Sequence, residues 1–160
     1  CAENLIKSFA QTTGMKYRIL RLCNVMGPSD PKASRKKNAI QWMINELKAD
    51  RDVSLYDNGS HTRDIMHVDD VCRAIKLVMD KGDINSTYNI GSGEPTSVGE
   101  IITLAEHYTR TRGRVLNMEP PEFHNNVQTQ NFWMDTSKLK LLGFTQHITN
   151  EFLVKDLCIT

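Results

Sequence analysis

At 160 residues with 39% hydrophobic content, the chain is long enough to bury a core of its own, and its length fits a single unit spanning 1–160. Twenty basic residues stand against nineteen acidic ones, so the basic surplus expected of a nucleic-acid or membrane-surface binder is missing. No apolar run approaches the roughly 18 residues that would raise the question of a membrane span.

In chain order, Ala2, Leu5, Ile6 and Phe9 follow the i, i+3, i+4, i+7 rule and predict a first helix ending near Gly14. "KYRILRL" reads as a strand and "NVMGPSDP" as a loop, from its Gly and Pro content. A second helix carries Ile40, Met43, Ile44 and Leu47 on one face. "VSLY" is a short strand, "DNGS" a turn and "DIMHV" another short strand. Val71, Ala74, Ile75 and Val78 make the next helical stripe, stopping near Gly82. "TYNIG" is strand-like and runs into "GSGEP", after which Val98, Ile101, Ile102 and Ala105 repeat the helical spacing. Beyond "RVLNM" the chain turns polar and irregular. "DTSKLKLLGF" reads as a brief helix, capped by Asp135, Thr136 or Ser137 and stopped by Gly143, and a last helix starts at about Thr149. Strands alternating with helices predict an α/β fold.

Cys1, Cys23, Cys72 and Cys158 are scattered, with no CxxC pair, which reads as reduced thiols in a cytoplasmic protein rather than a disulfide framework. The sequence starts at Cys1 without a methionine and opens as if in mid-helix, so a piece of a longer protein is expected. His61, His67, His107, His124 and His147 show no spacing that puts two imidazoles on one face, which argues against a metal site. "TRTRGR" reads as a solvated helix end with Gly113 as the terminator. "GSG" is too short for GxGxxG, and Pro95 follows at once, so a turn is favoured over a phosphate cradle. In "RDIMHVDD", Asp69 and Asp70 stand where a helix begins and are read as its caps. Strand alternation turns Arg63, Ile65 and His67 one way and Asp64 and Met66 the other.

Taken together, "AENL", "ILRLCNVMGP", "RDIMHVDDVCRAI", "YNIGSGEPTSVGEII" and "DTSKLKLLGF" resemble, in that order, the C-terminal half of the extended short-chain dehydrogenase/reductase family. The resemblance is to its NAD-dependent nucleotide-sugar epimerases and dehydratases, of the UDP-galactose epimerase type. It implies the C-terminal part of a Rossmann-like NAD-binding fold plus a small α/β substrate-binding lobe. The family's Tyr-x-x-x-Lys pair would fall just before Cys1, and its glycine-rich NAD motif further upstream.

Carried over by position, the resemblance places Asn24 near the reacting sugar, Asn38 and Arg63 at the diphosphate, and Ser54 and Tyr56 against the base. Leu22 and Cys23 resemble positions lining the nicotinamide pocket. Two departures stand out: His124 and Asn125 lie near where many relatives have a second arginine, and Met26 replaces a tyrosine beside the nicotinamide. The expected ligand is a UDP- or dTDP-hexose, with NAD as cofactor of the intact protein, and no nucleic-acid or membrane partner. The chain would then orient a sugar diphosphate for hydride transfer without catalysing the step itself. A non-catalytic binding or regulatory module is the alternative, and the upstream reading frame separates the two. The strand edge and the first helix, lacking cover, predict a homodimer or larger assembly.

Overall fold

The computed structural model describes residues 1–28, 30, 33–34, 37–122 and 130–160. Helix α1 (Ala2–Thr13) ends where Gly14 enters the left-handed region at φ 73° and donates its N–H to Ala10 O. β1 (Arg18–Leu22) follows, then β2 (Asn24–Met26), α2 (Ala39–Lys48) and β3 (Val53–Tyr56). A 3-10 turn over Asp57–Gly59 leads to β4 (Thr62–Arg63), β5 (Ile65–His67) and α3 (Val68–Lys81). The remainder comprises β6 (Ser86–Ile90), β7 (Thr96–Ser97), α4 (Val98–Thr109), β8 (Val115–Met118), α5 (Ser137–Leu141) and α6 (Asn150–Ile159).

The chain is α/β, with strands paired across long sequence separations. β1 pairs in parallel with β6, β2 with β5 and β3 with β8, whereas β4 and β7 are antiparallel. Two apolar clusters result. One gathers residues of α2, β3, α4 and α6, including Ile44, Leu47, Val53, Ile101 and Leu153. The other gathers α3, β1, β6 and α5 around Val78, Tyr88, Ile90 and Leu139. β5 stands between them, because neighbouring strand residues point to opposite faces: Ile65 belongs to the first cluster and Met66 to the second.

Several local expectations change in the folded chain. Asn24–Met26, read as loop, is a strand because its backbone finds β5, with Asn24 opposite Ile65. Val115–Met118 is likewise a strand through its register with β3. α4 ends at Thr109 with Arg110 in the left-handed region at φ 50°, ahead of Gly113. The cap of α3 is His67, whose Nδ1 accepts the Asp69 N–H at 3.1 Å, and neither aspartate takes that place. Asp70 is instead fully buried, accepting from the backbone N–H groups of His147 (3.1 Å) and Ile148 (2.8 Å) and from the Arg73 guanidinium. A carboxylate at a helix start can serve a distant chain segment as well as its own first turn, and only the fold selects between them.

The "GSG" segment is a turn wrapped around Asp64, which is fully buried. Oδ1 accepts from Ser92 N at 2.8 Å and Ser92 Oγ at 2.7 Å, while Oδ2 accepts from Gly93 N and Met134 N, both at 3.1 Å. Glycine is needed twice here: a Cβ on Gly91 would lie 2.6 Å from Asp64 Oδ2, and Gly93 sits at φ +75°. Replacing Asp64 with alanine strips these donors of their acceptor in the interior. Since each orphaned buried donor costs about 1–3 kcal/mol, Asp64→Ala should lower unfolding free energy by at least about 3 kcal/mol in urea titrations. A loss below about 1 kcal/mol would show that water or backbone shifts replace the carboxylate.

Candidate functional site

Four separate parts of the chain converge on one cleft. Along β3, Val53 and Leu55 turn into the core, so Ser54 and Tyr56 face the other way, half-buried. Asn24 opens β2, where its backbone N–H bonds to Asp64 O at 3.0 Å. Asn38 stands at the start of α2 in the left-handed conformation (φ 52°, ψ 59°) that asparagine tolerates better than most residues. Its Nδ2 donates to Gln41 Oε1 at 3.0 Å, and Gln41 in turn donates to Gly27 O at 2.7 Å, which anchors the helix start to the loop after β2. Arg63 closes β4. Asn24, Asn38, Ser54, Tyr56 and Arg63 all line a single cleft of ≈ 930 Å³, together with Trp42, His61 and others. That volume lies within the range of about 300–1,000 Å³ usual for small-molecule sites.

Arg63 sets the electrostatics of the cleft. Its Nη1 donates to Thr62 O at 2.7 Å and Gln130 O at 3.0 Å, which fixes the fork while leaving Nε and Nη2 with no protein acceptor among the described residues. Among the described residues no carboxylate pairs with it, and burial pushes its pKa down from the ordinary arginine value. A partly desolvated cation without a counter-charge gains strongly from an anion that offers two oxygens. The N-terminus of α2, with no side chain capping it, adds oriented N–H groups on the same cleft.

Trp42 and His61 also line the cleft, and neither stands out in the sequence as a site residue. Trp42 falls off the apolar stripe of Ile40, Met43, Ile44 and Leu47, and a tryptophan beside such a stripe is the signal that was available. His61 had none, since its place in the cleft depends on the turn before β4.

Leu22 and Cys23 lie apart from this cleft. Leu22 is 47% exposed at the end of β1, whereas the Cys23 thiol is buried in the second apolar cluster. Met26 is 1% exposed and packs in the first cluster. His124 and Asn125 lie outside the described residues.

The folded chain is Rossmann-like α/β, with an anion-ready cleft between its strands and the start of α2. It belongs to the NAD dependent epimerase/dehydratase family, whose sequence model matches residues 1–91. A UDP-glucose 4-epimerase of Thermotoga maritima, solved with UDP-glucose, superposes with a TM-score of 0.85 at 28% identity, covering 98% of this chain and 49% of that one. In Arabidopsis thaliana, a trifunctional UDP-glucose 4,6-dehydratase, 3,5-epimerase and reductase is 26% identical over 156 residues, covering 94% of this chain and 22% of that protein. A dTDP-L-rhamnose 4-epimerase of Burkholderia thailandensis is 29% identical over 108 residues, 66% of this chain and 30% of that protein. The chain spans less than half the length of these curated relatives.

The family's dinucleotide can be set against the residues present. A dinucleotide diphosphate requires open backbone N–H groups at a glycine turn, and here the turn at Gly91–Gly93 is already filled by the Asp64 carboxylate. Leu22 offers one apolar surface, and the Cys23 side chain points away into the core. The described residues therefore do not fit a dinucleotide site of their own.

Burial, and after it the Asp64 carboxylate, pushes the Cys23 thiol up to about 12. Burial likewise raises Cys158 to about 11. Since the thiolate is the nucleophile, iodoacetamide on the folded chain at pH 8.5 should label exposed Cys1 and Cys72 and spare the other two, as read by mass spectrometry. The unfolded thiols ionise from about pH 9 while the folded ones hold their protons. Their contribution to stability is therefore intact below that pH and is lost as pH rises toward 11 and then 12. Urea midpoints should fall across this alkaline window, and less steeply in Cys23→Ala.

Proposed function

We propose that this chain is the nucleotide-sugar-binding half of an NAD-dependent sugar epimerase or dehydratase, and that it orients the sugar diphosphate for a hydride transfer completed by the rest of a longer protein. The observation that carries this reading is the convergence of Asn24, Asn38, Ser54, Tyr56 and Arg63 on one cleft. Arg63 and the N-terminus of α2 would take the diphosphate, whose charge would supply the counter-ion that the described residues do not give the guanidinium. Ser54 and Tyr56, on the outward register of β3, would lie along the base. Asn38, at the start of α2, would meet the diphosphate beside Arg63, and Asn24 would hold a hydroxyl near the reacting ring. Pinning a substrate at several points in this way favours reaction by removing translational and rotational freedom in advance.

Isothermal titration with UDP and UDP-glucose tests the binding role. The chain should bind both, and Arg63→Ala should weaken UDP at least about tenfold, the value of one or two charge-assisted hydrogen bonds. Equal affinity in the variant, with its thermal midpoint unchanged, would remove the diphosphate role.

Assembly belongs to the same proposal. α1 buries only Ala10, while Leu5 is 72% and Phe9 56% exposed on one stripe. A second copy covering this stripe would form a dimer or larger assembly. Sedimentation above micromolar concentration should then report more than one chain, and Phe9→Glu should return it to the monomer.

A further inference from the structure

His61 lines the cleft together with Tyr56 and Arg63. In the reading above the base lies on β3 and the diphosphate on Arg63, so the space between them belongs to the ribose. The spacing agrees. His61 and Arg63 are two residues apart in extended chain, which puts them on one face about 7 Å apart, comparable to the step from a phosphate to the hydroxyl edge of its ribose.

The imidazole lies beside one carboxylate. Its side chain is 14% exposed, and Nε2 lies 3.4 Å from Asp57 Oδ2, so the negative charge favours a proton on that nitrogen. Nδ1 is then an acceptor. It has no hydrogen-bond partner among the described residues, on a side chain that lines the cleft. The turn that supplies the carboxylate is unusual: Asp57, Asn58 and Gly59 all have positive φ, at 48°, 53° and 71°. A Cβ on Gly59 would come within 2.5 Å of Gly99 N, so this turn is wedged against the start of α4. Three successive left-handed residues are a costly way to end a strand, and the Asp57 carboxylate they carry comes within 3.4 Å of the ring.

We propose that His61, oriented by Asp57, accepts a hydrogen bond from the ribose 2′-hydroxyl of a nucleoside diphosphate in this cleft, so that the site selects ribonucleotides over 2′-deoxyribonucleotides. This rests on the nucleotide-sugar reading, and it narrows that reading to ligands carrying a ribose. His61 is a specificity residue, and Asp57 a positioning residue acting through it.

Titration calorimetry of the chain with UDP and with 2′-deoxy-UDP tests it. UDP should bind about fivefold more tightly, the value of one hydrogen bond. His61→Ala should bring UDP down to the affinity of 2′-deoxy-UDP and leave the latter unchanged. His61→Asn, which keeps a polar group near the place of Nδ1, should recover part of the preference. Asp57→Asn, tolerated at positive φ, should shrink the preference while leaving the thermal midpoint in place. If wild type binds both ligands equally, in a manner that still depends on Arg63, the ribose role of His61 is overturned and the nucleotide-sugar reading survives. If wild type binds neither at millimolar concentration, both fall together. A preference that persists in His61→Ala would assign the ribose to another residue and overturn the proposal.

Discussion

The structure hangs on one buried carboxylate. Asp64 lies between β4 and β5 with no exposure, and its two oxygens gather donors from Ser92, Gly93 and Met134. A bare charge in that position would be very unfavourable, but one surrounded by oriented N–H and O–H groups is tolerated because they replace the water it lost. These donors come from the turn after β6 and from the segment before α5, so a single side chain ties two distant parts of the chain to the strand. Its backbone carbonyl also accepts from Asn24 N, which brings β2 into register. Placement of Asn24 at the cleft therefore depends on a residue that never faces the cleft.

Adjacent residues on this stretch divide two tasks. Asp64 turns inward to an N–H cradle that is complete without any ligand, while Arg63 turns outward with a guanidinium that is only partly satisfied. Alternation of side chains along an extended backbone makes this division unavoidable once the strand is fixed. It also explains why a glycine turn suited to an anion is no dinucleotide site here: the anion is part of the protein. The remaining electrostatic need sits on the opposite face, at the cleft.

Two further carboxylates show how the same chemistry is used for long-range closure. Asp70 accepts from the backbone at His147 and Ile148, and Asp156 stands 3.3 Å from His67 Nε2. Both contacts draw the C-terminal segment against the start of α3. His67 joins two roles, since its other nitrogen caps that helix. The core beneath the cleft, from Ile44 and Leu47 to Leu153 and Leu157, is closed by this final helix, so the wall that holds Trp42 and Asn38 depends on residues more than a hundred positions away.

The sequence by itself determined α1 to α4, because each carries its apolar stripe at i, i+3 and i+4 spacing, and it determined the α/β class from the alternation of helices with strands. The family resemblance points to Asn24, Asn38, Ser54, Tyr56 and Arg63, which line one cleft, and to Leu22 and Cys23, which lie apart from it. What only the tertiary structure decided are the features made by partners far off in the chain. Asn24–Met26 and Val115–Met118 are strands because β5 and β3 lie beside them, and nothing within three or four residues encodes that pairing. Asp70 looked like a cap until the segment at His147 arrived to claim it. His61 became part of the cleft only through three left-handed residues whose geometry is set by contact with α4. Local spacing reports which face a residue takes on its own element, whereas the group it meets there depends on how the elements close over one another.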